Sequence, residues 1–133
     1  MAAPDTTTDL GFAPHHVLVC IPLGTENVCR AFYVDTLGLV EVPKPPALAA
    51  RGGLWLRGDT LEIHLGVDPE FRPQRKGHPG ILVREIDALA QRLTDAGHEV
   101  AWDPHLPGYR RFYVDDVVGN RLEFLAAADS AAG

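Results

Sequence analysis

The sequence predicts an α+β fold of two βαβββ modules related by pseudo-twofold symmetry, each a curved mixed sheet. Three observations point there. Strand-like and helix-like segments follow one another in the same order twice. The residues that punctuate them recur at a near-constant offset, His16 to His78 and Gly58 to Gly119. Finally, 133 residues with 46% hydrophobic and 23% charged content make one ordinary globular domain, long enough to bury a core and too apolar for a disordered chain.

Residues 1–13, rich in Ala, Thr and Asp, are expected to form a mobile tail, and the domain spans 14–126. Module 1 covers about 14–68. His15 to Pro22 is β-branched and stops at proline, as a strand does. Thr25 to Leu37 carries Val28, Ala31 and Phe32 at helical spacing and ends at Gly38. Leu39 to Val42 is a short strand, and Pro43 to Gly53 a loop of Pro, Ala and Gly. Leu54 to Gly58 and Thr60 to Val67 form a hairpin about Gly58-Asp59. Asp68 to Gly77 is a polar connector. Module 2 covers about 78–126. Its strand His78 to Arg84 precedes the helix Ile86 to Ala96, where Ile86, Leu89, Ala90, Leu93 and Ala96 make one apolar stripe. Glu99 to Trp102, Tyr109 to Val114 and Arg121 to Leu125 complete the strands, and 127–133 is expected to be a second mobile tail.

A net charge of −6 argues against nucleic acid as partner, since phosphate binding needs a basic face. No apolar run approaches the ~20 residues of a membrane span, and Met1 to Asp9 lacks the pattern of a signal peptide. Two cysteines, Cys20 and Cys29, make neither a disulfide framework nor a four-thiolate site, so a reducing cytoplasm is expected.

The strand period places the chemistry. His16, Leu18 and Cys20 share one face of the first strand. On the fourth, Leu61, Ile63 and Leu65 face the helix, so Glu62 and His64 face away; on the last, Leu122 and Phe124 face the helix and Glu123 faces away. One His and one Glu per half therefore occupy matching positions. If the two sheets pair about the pseudo-twofold axis, His16, Glu62, His78 and Glu123 converge in a cavity between them. Two imidazoles and two carboxylates suit a divalent first-row metal: Zn, Ni, Fe, Mn or Co.

These residues resemble the vicinal oxygen chelate superfamily, which includes glyoxalase I, fosfomycin-resistance enzymes, extradiol dioxygenases and bleomycin-resistance proteins. The resemblance rests on His15-His16-Val17, Ala31-Phe32-Tyr33, Leu37-Gly38-Leu39, Leu61-Glu62-Ile63, Gly77-His78, Phe112-Tyr113-Val114-Asp115-Asp116 and Gly119-Asn120-Arg121-Leu122-Glu123-Phe124. It implies a cavity holding metal and substrate, with His16, Glu62, His78 and Glu123 as the metal ligands. Asp116-Val117-Val118-Gly119-Asn120 departs from the family's usual Asp-Pro-x-Gly-Asn turn. His64 shares the face of Glu62, so one of the two is the fourth ligand and the other a supporting group or substrate base. His15 is expected on the opposite face as a structural residue, and His98 on the surface.

The expected function is a glyoxalase-like metalloenzyme using the metal as a Lewis acid on a small oxygen-bearing substrate, with Glu62, Glu123 and His64 as catalytic candidates. Alternatives are an Fe(II) extradiol-type dioxygenase using His16, His78 and Glu123, and a metal-free drug-binding resistance protein. His105 lies six residues before Phe112-Tyr113, near the spacing of a dioxygenase histidine. It joins Tyr109, Arg110 and Arg111 as candidate substrate-binding residues; alternation allows only Arg110 or the Tyr109–Arg111 set to face the cavity. Arg72 with Arg75-Lys76 forms a second basic cluster. Trp55 and Trp102 are expected in the core or cavity wall. Unpaired sheet edges together with the family's habits predict a homodimer.

Overall fold

The computed structural model describes residues 3–128. Its strands are β1 (Val17–Ile21), β2 (Val40–Val42), β3 (Leu54–Gly58), β4 (Leu61–Val67), β5 (Gly80–Leu82), β6 (Ala101–Asp103), β7 (Tyr109–Asp115) and β8 (Arg121–Ala127). The helices are α1 (Glu26–Arg30), α2 (Pro46–Ala49) and α3 (Ile86–Asp95). They form two four-stranded sheets, ordered β1-β4-β3-β2 and β5-β8-β7-β6. In each, the first strand of the module lies parallel to the last, and the remaining pairings are antiparallel. This is the expected pair of βαβββ modules, with neither sheet closed.

Alternation builds the core. Val19 and Ile21 of β1, Leu54 and Leu56 of β3, and Ile63 and Leu65 of β4 are buried on one face of the first sheet, under Cys29, Phe32 and Tyr33. In module 2, Phe112 and Val114 of β7 and Leu122 and Phe124 of β8 meet Ile86, Leu89, Ala90 and Leu93, the i, i+3, i+4, i+7 stripe of α3. All belong to one cluster. The opposite sheet faces are left for chemistry.

Several local details differ from expectation. The helix expected over 25–37 is α only through Arg30; Ala31–Thr36 is a π-helical turn closed by Leu37 N–H donating to Phe32 O at 2.9 Å. The expected loop 43–53 contains α2, started by Pro46 at its first turn. At Gly53, φ is +83°, and a Cβ would stand 2.0 Å from the Leu65 carbonyl oxygen, so only glycine lets the chain enter β3 there. β8 runs to Ala127, and Ala128 N–H donates to Gly108 O, so the last strand extends past the expected domain end at 126; 129–133 lie outside the described residues.

The turn before β8 is tight despite its missing proline. Gly119 has φ of +94°, and the Asp116 carboxylate accepts from the Val118 and Asn120 N–H groups at 3.0 and 2.8 Å. The Asn120 side chain donates to the Cys20 carbonyl of β1 at 2.8 Å and accepts from Gln74 N–H at 2.9 Å. Tyr33 donates its hydroxyl to Asp116 at 2.7 Å. These buried bonds tie module 1, the connector and the entry to β8 together.

Candidate metal centre

The register Leu18↔His64 and Trp55↔His64 places His16, Glu62, His64, Trp55 and Arg57 on the face of the first sheet opposite the core. Both oxygens of Glu62 are engaged. Arg57, its partner directly across the hairpin, donates Nε–H to Oε1 at 2.6 Å, and His64 Nε2 lies 2.9 Å from Oε2. These bonds, that to His64 foremost, hold the Glu62 carboxyl below the usual carboxylate range. The His64 ring is stacked between Trp55 (centroids 4.1 Å apart, planes at 4°) and His16 (4.0 Å, 20°), which buries it.

Module 2 repeats the unit with a different histidine. His78 Nε2 lies 2.7 Å from Glu123 Oε1, and Arg111 donates to Oε2 at 3.1 Å. His78 Nδ1–H donates to the Lys76 carbonyl at 2.9 Å, which leaves Nε2 as the nitrogen directed at the carboxylate. Glu123 is buried, and Arg111 also approaches Asp103 at 3.5 Å. Each module thus presents a glutamate braced by one imidazole and one guanidinium.

The four expected ligands form two sets, His16 with Glu62 and His78 with Glu123, and contrary to the expected convergence the structure does not bring all four within 4.8 Å of one another. A cavity of about 400 Å³ is lined by His15, His16 and Glu62 from module 1 and by Pro79 and Ile81 from module 2. A second, of about 370 Å³, is lined by Leu18 and Cys20 from β1 and by His78 and Arg121. Among the described residues, the group of three metal-capable side chains whose ligand atoms lie within 4.8 Å of one another is His15, His16 and Glu62. This donor set, imidazole and carboxylate with room beside it, fits a divalent first-row cation.

Other candidates fall differently. His15 is not turned to the far face: it precedes β1, so strand alternation does not bind it, and its Nδ1 lies 2.9 Å from His16 Nδ1. Arg110 lies on the helix side, sharing its face with the buried Phe112 and Val114, and makes two bonds to Asp87 at 2.8 and 2.9 Å. It is therefore removed from Glu123, whereas Arg111 is beside it. Tyr109 is exposed at the start of β7, on the Arg111 face. His105 is exposed in the β6–β7 loop, its backbone N–H bonded to Asp103. His98 is half-buried with its ring edge-on to Phe32, and Trp102 is 45% exposed on an outer strand under Arg110. Arg57 was not expected in the site; its register opposite Glu62 about a two-residue turn is the signal that finds it.

No protein-family model matches the chain, and neither does any curated protein. Solved structures do. A glyoxalase family protein from Bacillus anthracis is 41% identical, with a TM-score of 0.87, covering 92% of this chain and 100% of its own. An antibiotic binding protein, TnmS3, from Streptomyces sp. CB03234 is 22% identical, with a TM-score of 0.68 over 89% of this chain and 100% of its own. The fosfomycin resistance protein FosX from Listeria monocytogenes, complexed with Mn(II) and a dihydroxypropylphosphonic acid, is 16% identical, with a TM-score of 0.66 over 88% of this chain and 91% of its own. The last two likenesses show the fold alone. The first, across nearly the whole of both chains, carries the conclusion that this chain belongs to the glyoxalase family of the vicinal oxygen chelate superfamily.

Proposed function

We propose that this protein is a metal-dependent enzyme of the glyoxalase type, which moves a proton at a carbon next to the oxygens of a small substrate. The observation that carries the reading is the repeated unit: a glutamate on the non-core face of each sheet, one oxygen at an imidazole and the other at a guanidinium. His16, Glu62, His78 and Glu123 would hold the ion, of the class Zn, Ni, Fe, Mn or Co. When bound, the ion supplies Lewis-acid stabilisation of negative charge on substrate oxygen.

The chain's own residues supply the rest. Glu62, held as a carboxylate by His64 and Arg57, is a weak base while both bonds last. Giving up either raises its basicity towards what proton abstraction from carbon requires. Glu62 then takes the proton and returns it to the neighbouring carbon. His64, locked between Trp55 and His16, keeps Glu62 aimed. Arg111 holds Glu123 in place, and the indole of Trp55, stacked on His64, shields that ring from water.

The protein is read as a cytoplasmic homodimer acting on a small molecule. Both cysteines are free thiols, and no helix among the described residues is long and apolar enough to cross a membrane. One observation favours a second reading, ligand sequestration without metal: the exposed His16 ring ends the Trp55–His64–His16 stack, and its outer face could take a planar ligand.

The test is metal analysis of untagged protein purified without added metal, followed by deuterium exchange at carbon in α-hydroxycarbonyl compounds and hemithioacetals. Stoichiometric metal, lost in His16→Ala, His78→Ala and Glu123→Ala, with metal-dependent exchange, is the expected result. Metal retained in His16→Ala/His78→Ala refutes the ligand assignment.

A further inference from the structure

We propose that His15 is a metal-binding residue, and that His15, His16 and Glu62 form a site able to hold a divalent first-row cation on module 1 alone. The proposal rests on the reading of His16 and Glu62 as ligands and adds a third donor from the same module.

The ring nitrogens carry the argument. His15 Nδ1 and His16 Nδ1 face each other at 2.9 Å, with the rings at 83° and their centroids 5.1 Å apart. Two nitrogens on one tetrahedral zinc at ~2.0–2.1 Å stand roughly 3.3 Å apart, so a small rotation of either ring opens the gap to a cation's bite. A carboxylate oxygen of Glu62 completes the set within 4.8 Å. His16 is the only hydrogen-bond partner of the His15 ring among the described residues, so ligation there breaks no other contact. Both histidines are exposed, and all three residues line the same open cavity, which leaves coordination positions for water. His64 and Arg57 each hold one oxygen of Glu62 and so orient that ligand towards the histidines. Two imidazoles and one carboxylate with open positions suit borderline ions such as Co(II), Ni(II) and Zn(II).

The experiment removes the other half of the centre. Untagged full-length His78→Ala/Glu123→Ala is titrated with Co(II), and binding is followed by visible absorption and calorimetry. This variant retains no metal through purification, but Co(II) added in excess is expected to bind at one equivalent, more weakly than in the wild type and at least tenfold more weakly again when His15→Ala is added. No binding by His78→Ala/Glu123→Ala, when the wild type binds, overturns the module 1 site while sparing the four-residue centre. Unchanged affinity on adding His15→Ala overturns the role of His15. A wild type that binds no Co(II) overturns the ligand reading beneath both. Pulsed EPR of the wild type at substoichiometric Cu(II) gives a check independent of the double variant's folding: one more coupled imidazole than in His15→Ala is expected, and an equal count refutes the proposal.

Discussion

Asn120→Ala tests how the two halves of the centre are held in register. Asn120 is 1% exposed and makes three side-chain bonds: to the Cys20 carbonyl at 2.8 Å, to Asp116 Oδ2 at 3.1 Å, and from Gln74 N–H at 2.9 Å. Alanine removes all three. Asp116 keeps the Tyr33 hydroxyl and two backbone N–H groups, so its loss is small. The Cys20 carbonyl, on the free edge of β1, and the Gln74 N–H lose their protein partners. At ~1 kcal/mol per lost bond, less for Asp116 and for the water-accessible Gln74, the destabilisation is about 2 kcal/mol. For a chain of this length that corresponds to a fall in Tm of about 7 °C, read by differential scanning calorimetry. Because Asn120 joins β1, which follows His16, to β8, which carries Glu123, metal affinity should fall as well, although Asn120 is no ligand. Asn120→Asp should be at least as damaging, since it sets an acceptor against the Cys20 carbonyl and the Asp116 carboxylate. A Tm within about 3 °C of wild type would refute the reasoning.

Glu62→Gln should weaken metal binding, whereas His64→Ala should mainly lower turnover and leave metal binding nearly intact; the reverse pattern, read by metal analysis and initial rates, would move the ligand to His64. Acid should destabilise the fold: Glu41, Glu62, Asp87 and Asp103 are all held below their ordinary values by partners in the folded state, the first three by side-chain bonds and Asp103 chiefly by the His105 N–H. Their contribution is present above the unfolded pKa values near ~4 and lost as pH falls through the lower folded ones, so Tm should decline below about pH 4, and a flat Tm from about pH 5 to pH 2 would contradict it. Mixing His16→Ala and His78→Ala chains distinguishes site architectures: activity returns if each site takes one module from each chain, and stays absent if each chain holds its own.

The repeat, the strand faces and the two glutamates were legible because period-2 alternation is a local property of β4 and β8 and needs no knowledge of how the modules dock. The same logic, carried one step further, settles Arg110. It alternates in step with Phe112 and Val114, both apolar and buried, so it had to lie on the helix side. Alternation also marks where such reasoning stops. His15 lies two residues before the first paired residue of β1, and a ring outside the ladder answers to its neighbours and not to the pleat. The π turn at Ala31–Thr36 carries no periodic signal, because one extra residue in a turn shifts phase without changing composition. The bracing of Glu62 by Arg57 depends on hairpin register, which the two-residue turn at Asp59-Thr60 fixes.

What local patterns do not contain is the relation between the halves, and here the burial of polar groups is informative. An apolar core fills space but tolerates sliding; hydrogen bonds between buried groups do not. Tyr33, fully buried on the π turn of module 1, donates to Asp116 of module 2, and burial beside that carboxylate pushes the phenol well above its ordinary pKa, so it stays a donor throughout the physiological range. Asn120 then passes the constraint to β1 and the connector. The Asp116–Asn120 turn lacks the family's proline yet keeps the two side chains that make these bonds. Glu123 begins three residues beyond Asn120, on a strand whose start is thus fixed to the edge of module 1. The placement of His78–Glu123 against His16–Glu62 is set by this polar tie, and loosening it should disturb the centre without touching a ligand.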